Sequence, residues 1–176
     1  MITDWGGREQ SRVLSAPDFI QIRDKALEAR DLYVVTLALL ASREPGTKII
    51  VNSRLDVALA AKADGVHLPA GSPAPDRLRP LCPSGFLIGV SCHSVDEVLQ
   101  AHNRGADYCL FGPVFAPLSK SDARPTQGIE GLRQAVNAAP IPVFALGGIQ
   151  EIHDKACAEV GAAGIAGISM FIPRTE

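Results

Sequence analysis

Eight short apolar runs recur along the chain, and longer segments of mixed polarity separate them. The runs are rich in β-branched residues, and most are bounded by glycine, proline or aspartate. This pattern is typical of parallel strands that are buried on both faces. We predict strands at 1–3, 19–23, 48–52, 65–68, 87–91, 108–112, 143–146 and 164–168.

The intervening segments carry helical patterns. Ser94 opens the sequence Ser-Val-Asp-Glu, a capping box in which serine and glutamate satisfy free amides, and Gly105 suits the position just past the end of that helix. The segments 31–42, 129–138 and 152–160 have apolar faces with the period of a helix.

Strands that alternate with helices predict an α/β fold with a parallel sheet and right-handed crossovers. Eight such units favour closure into a (β/α)8 barrel of TIM type. An open doubly wound sheet is the alternative, and the lack of a G-x-G-x-x-G motif after the first strand disfavours it.

The sequence departs from a complete (β/α)8 repeat in two places. The first connection, 4–17, contains Gly6-Gly7 and barely holds a helix, and no helical segment follows Ile168. We expect one domain over 1–176 with a shortened first helical region and no last helix. Either another subunit, as in a homodimer, covers that corner, or part of the natural chain is absent.

Composition narrows the function classes. Of 176 residues, 47% are hydrophobic and 20% charged, and the net charge of −2 gives no reason to expect nucleic acid or an anionic membrane as partner. No apolar run is long enough to span a bilayer, and the N-terminus lacks a secretory pattern. The four cysteines form no C-x-x-C pair and no zinc spacing, so we expect a reduced, cytoplasmic protein without a metal site.

The carboxyl ends of the strands are where a barrel builds its active site, so polar residues there are candidates. Gly147 and Gly148 follow the seventh strand, and Ile168 and Ser169 end the eighth. Glycine-rich turns bring backbone N–H groups close to an anion, which predicts a phosphate site between these loops. The alternative is that the glycines only make a tight turn.

A second anion site is predicted beside the second strand. Gln21, Arg23 and Lys25 alternate onto one side of an extended segment, and Lys120 and Arg124 on another loop can face the same opening. The alternative is an ordinary strand end whose arginine pairs with a carboxylate.

Three residues are candidates for acid–base catalysis. His67 ends the fourth strand, and Cys92 and His93 follow the fifth. A helix N-terminus beside Cys92 can lower the pKa of its thiol. The alternatives are a hydrogen-bonded structural histidine, a histidine packed against the helix cap and a buried cysteine.

These residues resemble thiamin phosphate synthases and their TenI relatives. The resemblance is carried by DFIQIRDK (18–25), KIIVNSRLDVALAAKADGVHL (48–68), IGVSCHSVDEVLQAHNRGADYCLFGPVF (88–115) and PVFALGGIQ (142–150). It implies a (β/α)8 barrel in which a pyrimidine diphosphate meets a thiazole phosphate. The diphosphate leaves and the thiazole nitrogen attacks.

The resemblance also implies residue roles. The diphosphate contacts would be Gln21, Arg23, Lys25, Asn52, Ser91 and Lys120. The backbone that holds the thiazole phosphate would be that of Gly148, Ile168 and Ser169.

Departures from the synthase pattern separate the two branches. Synthases have aspartates that hold Mg²⁺ where this chain has Ser53 and Ser72, and a threonine where it has Pro117. The segments 68–72 and 107–112 look like the TenI branch, although the histidine of one TenI group is Pro113 here.

Three functions follow from the resemblance. We expect a protein that binds a thiazole phosphate, as a TenI-like tautomerase using His67, Cys92 or His93 without a cofactor. The alternatives are a thiamin phosphate synthase, which would require Mg²⁺ and take the pyrimidine diphosphate as well, and a non-catalytic regulator that binds a phosphorylated ligand.

Overall fold

The computed structural model describes residues 2–3, 17–116 and 125–167. The segment 4–16 and the chain from Ile168 onward, on which the predictions of missing helices depend, lie outside the described residues. Lys120 and Ser169 lie outside them as well.

The sheet has eight parallel strands in the order of the sequence. They are β1 Ile2–Thr3, β2 Phe19–Ile22, β3 Lys48–Asn52, β4 Gly65–Leu68, β5 Leu87–Cys92, β6 Tyr108–Phe111, β7 Val143–Leu146 and β8 Gly164–Ala166. Each lies where an apolar run predicted a strand, which confirms the buried parallel pattern.

Helices connect the strands. They are α1 Ala29–Ser42, α2 Leu55–Ala61, α3 Pro75–Leu78, α4 Val95–Asn103, α5 Gly128–Ala138 and α6 Asp154–Glu159, with 3₁₀ turns at Arg79–Leu81 and Glu151–His153. The segment predicted as one helix over 152–160 is thus divided between a 3₁₀ turn and α6. The helices α2 and α3 are too short to give a sequence pattern of their own.

The start of α4 follows the predicted capping box with one difference. The Ser94 hydroxyl accepts a hydrogen bond from the Glu97 amide at 3.2 Å. The Glu97 carboxylate accepts from the amide of His93 instead of from the cap residue itself. The helix cap therefore also fixes the residue that follows β5.

Alternate residues of each strand point to opposite sides, which divides the core in two. The outward side chains, such as Val51 and Phe111, pack against helix residues such as Val57 and Leu132. The inward side chains of β6 and β7 form a separate cluster that includes Tyr108.

Aromatic contacts show that the sheet curls strongly. Strands β2 and β7 are five places apart, which would be about 24 Å in a flat sheet. The rings of Phe19 on β2 and Phe144 on β7 nevertheless lie 5.7 Å apart, and the Tyr108 ring lies 5.8 Å from each. The predicted TIM-type parallel α/β architecture is therefore confirmed.

A fully closed barrel is the part of the prediction that the structure does not show. Within the described residues the strand pairs run from β1 to β8 without a ladder between those two end strands. Among the residues that the structure describes, the architecture is a curled parallel sheet in which β1 and β8 are the end strands.

Two aspartates at the amino edge of the sheet tie neighbouring strands together. Asp64, before β4, accepts from the amide of Ile49 at 2.8 Å and pairs with Arg43. Asp107, before β6, accepts from the amide of Ile88 at 2.6 Å and pairs with Arg79. In each case the carboxylate satisfies an amide near the start of the preceding strand.

Removing either carboxylate is expected to destabilise the fold without affecting the opposite edge of the sheet. Asp64→Ala and Asp107→Ala each leave a strand amide unsatisfied, so we expect a loss of about 1–3 kcal/mol in the free energy of unfolding. Urea denaturation measures it. Asp76→Ala is the matched control, because Asp76 forms an exposed pair with Arg104 and should cost less than about 1 kcal/mol. Equal losses in all three variants would contradict this role.

Candidate functional site

Four neighbouring strands bring polar side chains to the inner face near their carboxyl ends. Gln21 on β2 donates from Nε2 to Asn52 Oδ1 on β3 at 3.5 Å. Asn52 is the register partner of His67 on β4. His67 Nε2 lies 2.8 Å from Ser91 Oγ on β5. The structure thus brings three of the predicted anion-site residues, Gln21, Asn52 and Ser91, to the carboxyl edge of the sheet. Together with His67 they form a row across the four strands, which we call the polar row.

The cationic residues of the same set follow β2. Arg23 is half-buried, and its charge helps to lower the pKa of His67, which indicates that the guanidinium lies near that ring. Lys25 lies further along the loop and is exposed. The positive charge expected beside the polar row is therefore present at Arg23.

His67 is buried and held from both ring nitrogens. Nδ1 lies 3.3 Å from the Tyr108 hydroxyl, while Nε2 contacts Ser91. Burial, and then the charge of Arg23, lower the pKa of His67 to about 3. A ring that stays neutral at physiological pH is a hydrogen-bonding group and cannot supply a proton from an imidazolium.

Cys92 lies on the other face of β5. Its thiol is fully buried in the cluster between sheet and helices, with its Sγ 3.5 Å from Cys109 Sγ. The sequence left two possibilities for Cys92, a thiol whose pKa is lowered by a helix N-terminus and a buried cysteine. The structure favours the buried cysteine, because the contact with Cys109 and then burial raise the pKa of Cys92 well above its usual range.

His93 follows the strand and is partly buried. Its Nδ1 contacts the carbonyl oxygen of Gly112, and its amide donates to Glu97. These contacts join the end of β5 to the end of β6 and to the helix cap. They agree with the interpretation of His93 as a histidine that packs against the cap.

The predicted phosphate loop makes a left-handed turn directly after β7. Gly147 and Gly148 have φ values of 93° and 62°. A Cβ on Gly147 would lie 2.6 Å from Pro113 Cα, and one on Gly148 would lie 2.4 Å from the Ala116 carbonyl oxygen. Packing against the loop after β6 therefore requires glycine at both positions, independently of any ligand.

A cavity of about 340 Å³ lies on the helix side of β5, where the outward Cys92 and Ala101 of α4 are among its lining residues. It lies between the loop after β4 and helix α4, and its lining includes Ser72, Ser91, Glu97 and Arg104. Its volume falls within the range of small-molecule sites. Ser72 and Ser91 both belong to this lining, whereas Gln21, Asn52 and His67 do not.

The residues where the synthase pattern implies Mg²⁺ ligands do not fit that metal. Ser53 has a φ of 64°, and its Oγ accepts from Asn52 Nδ2 at 2.8 Å. Mg²⁺ is usually held by one or two carboxylates, and both positions carry hydroxyls instead. Within the described residues, no three His, Cys, Asp or Glu side chains form a metal-binding group.

Tyr108 is a site residue that sequence reasoning missed. A tyrosine within an apolar strand looks like ordinary core, and only the structure places its hydroxyl against His67. A usable signal was Gly89, its register partner on β5. A Cβ on Gly89 would lie 2.0 Å from Tyr108 Cζ, so this glycine provides the room for the ring.

The lowered pKa of His67 predicts a specific dependence of stability on pH. The unfolded state protonates His67 near pH 6.5 and the folded state only near 3, so the unfolded state binds more protons between these values. The free energy of unfolding therefore decreases as the pH is lowered through that range. When the pH is lowered from 6.5 to 5, we expect the free energy of unfolding of His67→Gln to decrease by about 1.5 kcal/mol less than that of the wild type. Urea denaturation measures both. Parallel pH profiles for the two proteins would contradict the buried neutral ring.

No helix among the described residues is long and apolar enough to cross a membrane.

Comparisons with known proteins identify the relatives of the chain. It is 42% identical to a thiamine-phosphate synthase of Methanoregula boonei, over 97% of this chain and 82% of the relative. It is 39% identical to a thiamine-phosphate synthase of Methanocella arvoryzae, over 93% and 78%. These names favour the synthase alternative over a TenI-like tautomerase.

Structural comparison agrees with sequence comparison. A solved thiamine phosphate pyrophosphorylase from Pyrococcus furiosus superimposes with a TM-score of 0.77 at 38% identity, covering 86% of this chain and 73% of that one. The family described as thiamine monophosphate synthase, TMP-TENI, matches residues 10–171. The chain therefore belongs to the thiamine monophosphate synthase family.

Proposed function

We propose that this chain is a thiamine-phosphate synthase that joins a pyrimidine diphosphate to a thiazole phosphate. The observation that carries the proposal is the polar row across β2–β5, where Gln21, Asn52 and Ser91 lie at one edge with Arg23 beside them. Relatives of about 40% identity that carry the synthase name support it.

The diphosphate site uses groups of complementary charge. The Arg23 guanidinium can grip a phosphoryl group with two parallel hydrogen bonds, and Lys25 adds a point charge. Side-chain amides of Gln21 and Asn52 add neutral donors. In the reaction the carbon–oxygen bond to the diphosphate breaks, and the leaving group keeps the electron pair. The lone pair of the thiazole nitrogen then forms the new carbon–nitrogen bond.

The thiazole phosphate is assigned to the turn after β7. The successive residues of positive φ, Gly147 and Gly148, form a turn, and the backbone N–H groups of such turns can bind an anion. We propose that Ile168 and Ser169 complete this site and that β8 pairs with β1 to close an eight-stranded barrel. The strong curl of the sheet supports closure.

A second candidate is a protein that binds thiazole phosphate without joining it to the pyrimidine. The hydroxyls of Ser53 and Ser72, at the positions of the family's metal carboxylates, favour it. With no carboxylates there, the negative charge that develops on the leaving diphosphate has fewer stabilising groups.

The geometry gives little support to the tautomerase function. His67 stays neutral and buried, Cys92 faces the helices with a raised thiol pKa, and His93 is engaged with Gly112. None of these surroundings favours proton transfer at a ring bound in the opening.

A cytoplasmic location is part of the proposal. All four cysteines are free thiols, including the neighbouring Cys92 and Cys109, which suits a reducing compartment. The homodimer stays a prediction.

A turnover assay decides between the two candidates. The purified chain is mixed with pyrimidine diphosphate, thiazole phosphate and Mg²⁺, and thiamine phosphate is measured by chromatography. Product formation supports the synthase. No product at any Mg²⁺ concentration, together with calorimetric binding of thiazole phosphate, would overturn the synthase and support the binding protein.

Restoring the carboxylates is expected to raise turnover. An aspartate tolerates the left-handed backbone of Ser53, so Ser53→Asp combined with Ser72→Asp should fold. We expect kcat/KM in Mg²⁺ to rise by roughly tenfold or more, because carboxylates recruit the hard cation that stabilises a leaving phosphate. Ser84→Asp places a single carboxylate at an exposed turn before β5, away from the two positions, and is the control. An unchanged double variant would contradict the assignment of these two positions.

A further inference from the structure

The contact between His67 and Ser91 raises the question of which atom carries the shared proton. A neutral imidazole has one N–H and one lone pair, so the two contacts of His67 must run in opposite senses. Either Tyr108 donates to Nδ1 and Nε2–H donates to Ser91, or Ser91 donates to Nε2 and Nδ1–H donates to Tyr108.

The surroundings of Tyr108 decide between the two tautomers. Its side chain is buried, and its ring is packed among Phe19, Phe144 and His67. Among the described residues, the Tyr108 hydroxyl makes its hydrogen-bond contact with His67 Nδ1. If Nδ1 were the donor, the buried hydroxyl proton would have no acceptor there, at a cost of about 1–3 kcal/mol. The hydroxyl therefore donates to Nδ1, and the ring proton lies on Nε2.

The consequence reaches the edge of the sheet. With its proton on Nε2, His67 donates to Ser91 Oγ across 2.8 Å. The serine then keeps its own O–H for another acceptor. Ionised phosphoryl oxygens only accept hydrogen bonds, so a serine in this state recognises them. In the opposite tautomer Ser91 would donate its hydrogen bond to His67 Nε2, and only its oxygen lone pairs would face the anion.

We propose that Tyr108 and His67 are positioning residues, which set the direction of the Ser91 hydroxyl so that it donates to an anionic phosphoryl oxygen of the substrate. This inference rests on the proposed function, since it assumes that Ser91 contacts the diphosphate. The hydrogen-bonded chain from Tyr108 through His67 to Ser91 also depends on Gly89. Because Gly89 has no side chain, the Tyr108 ring can cross β5 and reach β4.

The tautomer can be measured directly in the wild type without ligand or turnover. Long-range ¹H–¹⁵N correlation spectra of protein labelled at histidine distinguish a proton on Nε2 from one on Nδ1. We expect the neutral Nε2–H tautomer for His67. A proton on Nδ1, or a charged ring at pH 7, would overturn the proposal.

The second measurement is binding of inorganic pyrophosphate, followed by calorimetry. Tyr108→Phe removes one hydroxyl, and we expect it to weaken binding by about 3- to 10-fold through loss of the serine's orientation. Tyr33→Phe makes the same chemical change on the exposed surface of α1 and should bind like the wild type. Tyr108→Phe that binds pyrophosphate as tightly as the wild type would overturn the proposal.

A double-mutant cycle separates orientation from general loosening of the core. In a Ser91→Ala background there is no hydroxyl to orient, so Tyr108→Phe should cause no further loss of pyrophosphate affinity. A further loss of equal size in that background would mean that Tyr108 acts through the fold alone, and the proposal would fail.

The outcomes also separate this inference from the proposed function. Wild-type protein that binds pyrophosphate, with the Nε2–H tautomer and the expected cycle, but forms no thiamine phosphate, would overturn the synthase and leave the positioning role standing. Wild-type protein that does not bind pyrophosphate would overturn the positioning role itself.

Discussion

The alternation of side chains along the strands is the constraint on which this molecule depends. Successive residues of a strand point to opposite faces, so each strand serves two environments. In β5 the outward Cys92 lies in the apolar layer under the helices, while the inward Ser91 lies beside His67. A shift of one residue would exchange them and place a thiol at the anion site.

The same alternation links the inner packing to the site. Tyr108 belongs to the inner apolar cluster through its ring and to the polar row through its hydroxyl. Because Gly89 opposite has no side chain, the ring crosses the neighbouring strand without a clash. Packing in the middle of the sheet thereby controls hydrogen bonding at its carboxyl edge.

Much of the fold could be predicted because it depends on local patterns. Short apolar runs between glycines and aspartates predicted the strands, and the Ser94 box predicted the start of α4. The short helices α2 and α3 give too few turns to show a period. Closure is not encoded in any local pattern, because it depends on the pairing of β1 with β8.

The candidate site could be predicted in part. Gln21, Asn52 and Ser91 were found because a motif marks them, and parallel strands bring their carboxyl ends together. The face of Cys92 and the role of Tyr108 could not be predicted so easily, because they depend on which neighbours surround one atom. Only these neighbours separate the two alternatives for Cys92, since contact with Cys109 and burial raise the pKa of its thiol.

The serines at positions 53 and 72 set this chain apart from the synthase pattern that it resembles. Its relatives of about 40% identity are named thiamine-phosphate synthases, yet neither position offers a carboxylate to a hard cation. The proposed site combines groups that suit anions with hydroxyls at the two positions where the synthase pattern has metal carboxylates. How this family member treats its leaving group is therefore the central question.

A crystal structure with thiazole phosphate and inorganic pyrophosphate bound tests the account most directly. We expect one phosphate against the backbone of Gly147 and Gly148, and the pyrophosphate within hydrogen-bond reach of Gln21, Arg23 and Ser91. Thiazole phosphate bound away from the turn after β7, or pyrophosphate bound away from the polar row, would contradict the account.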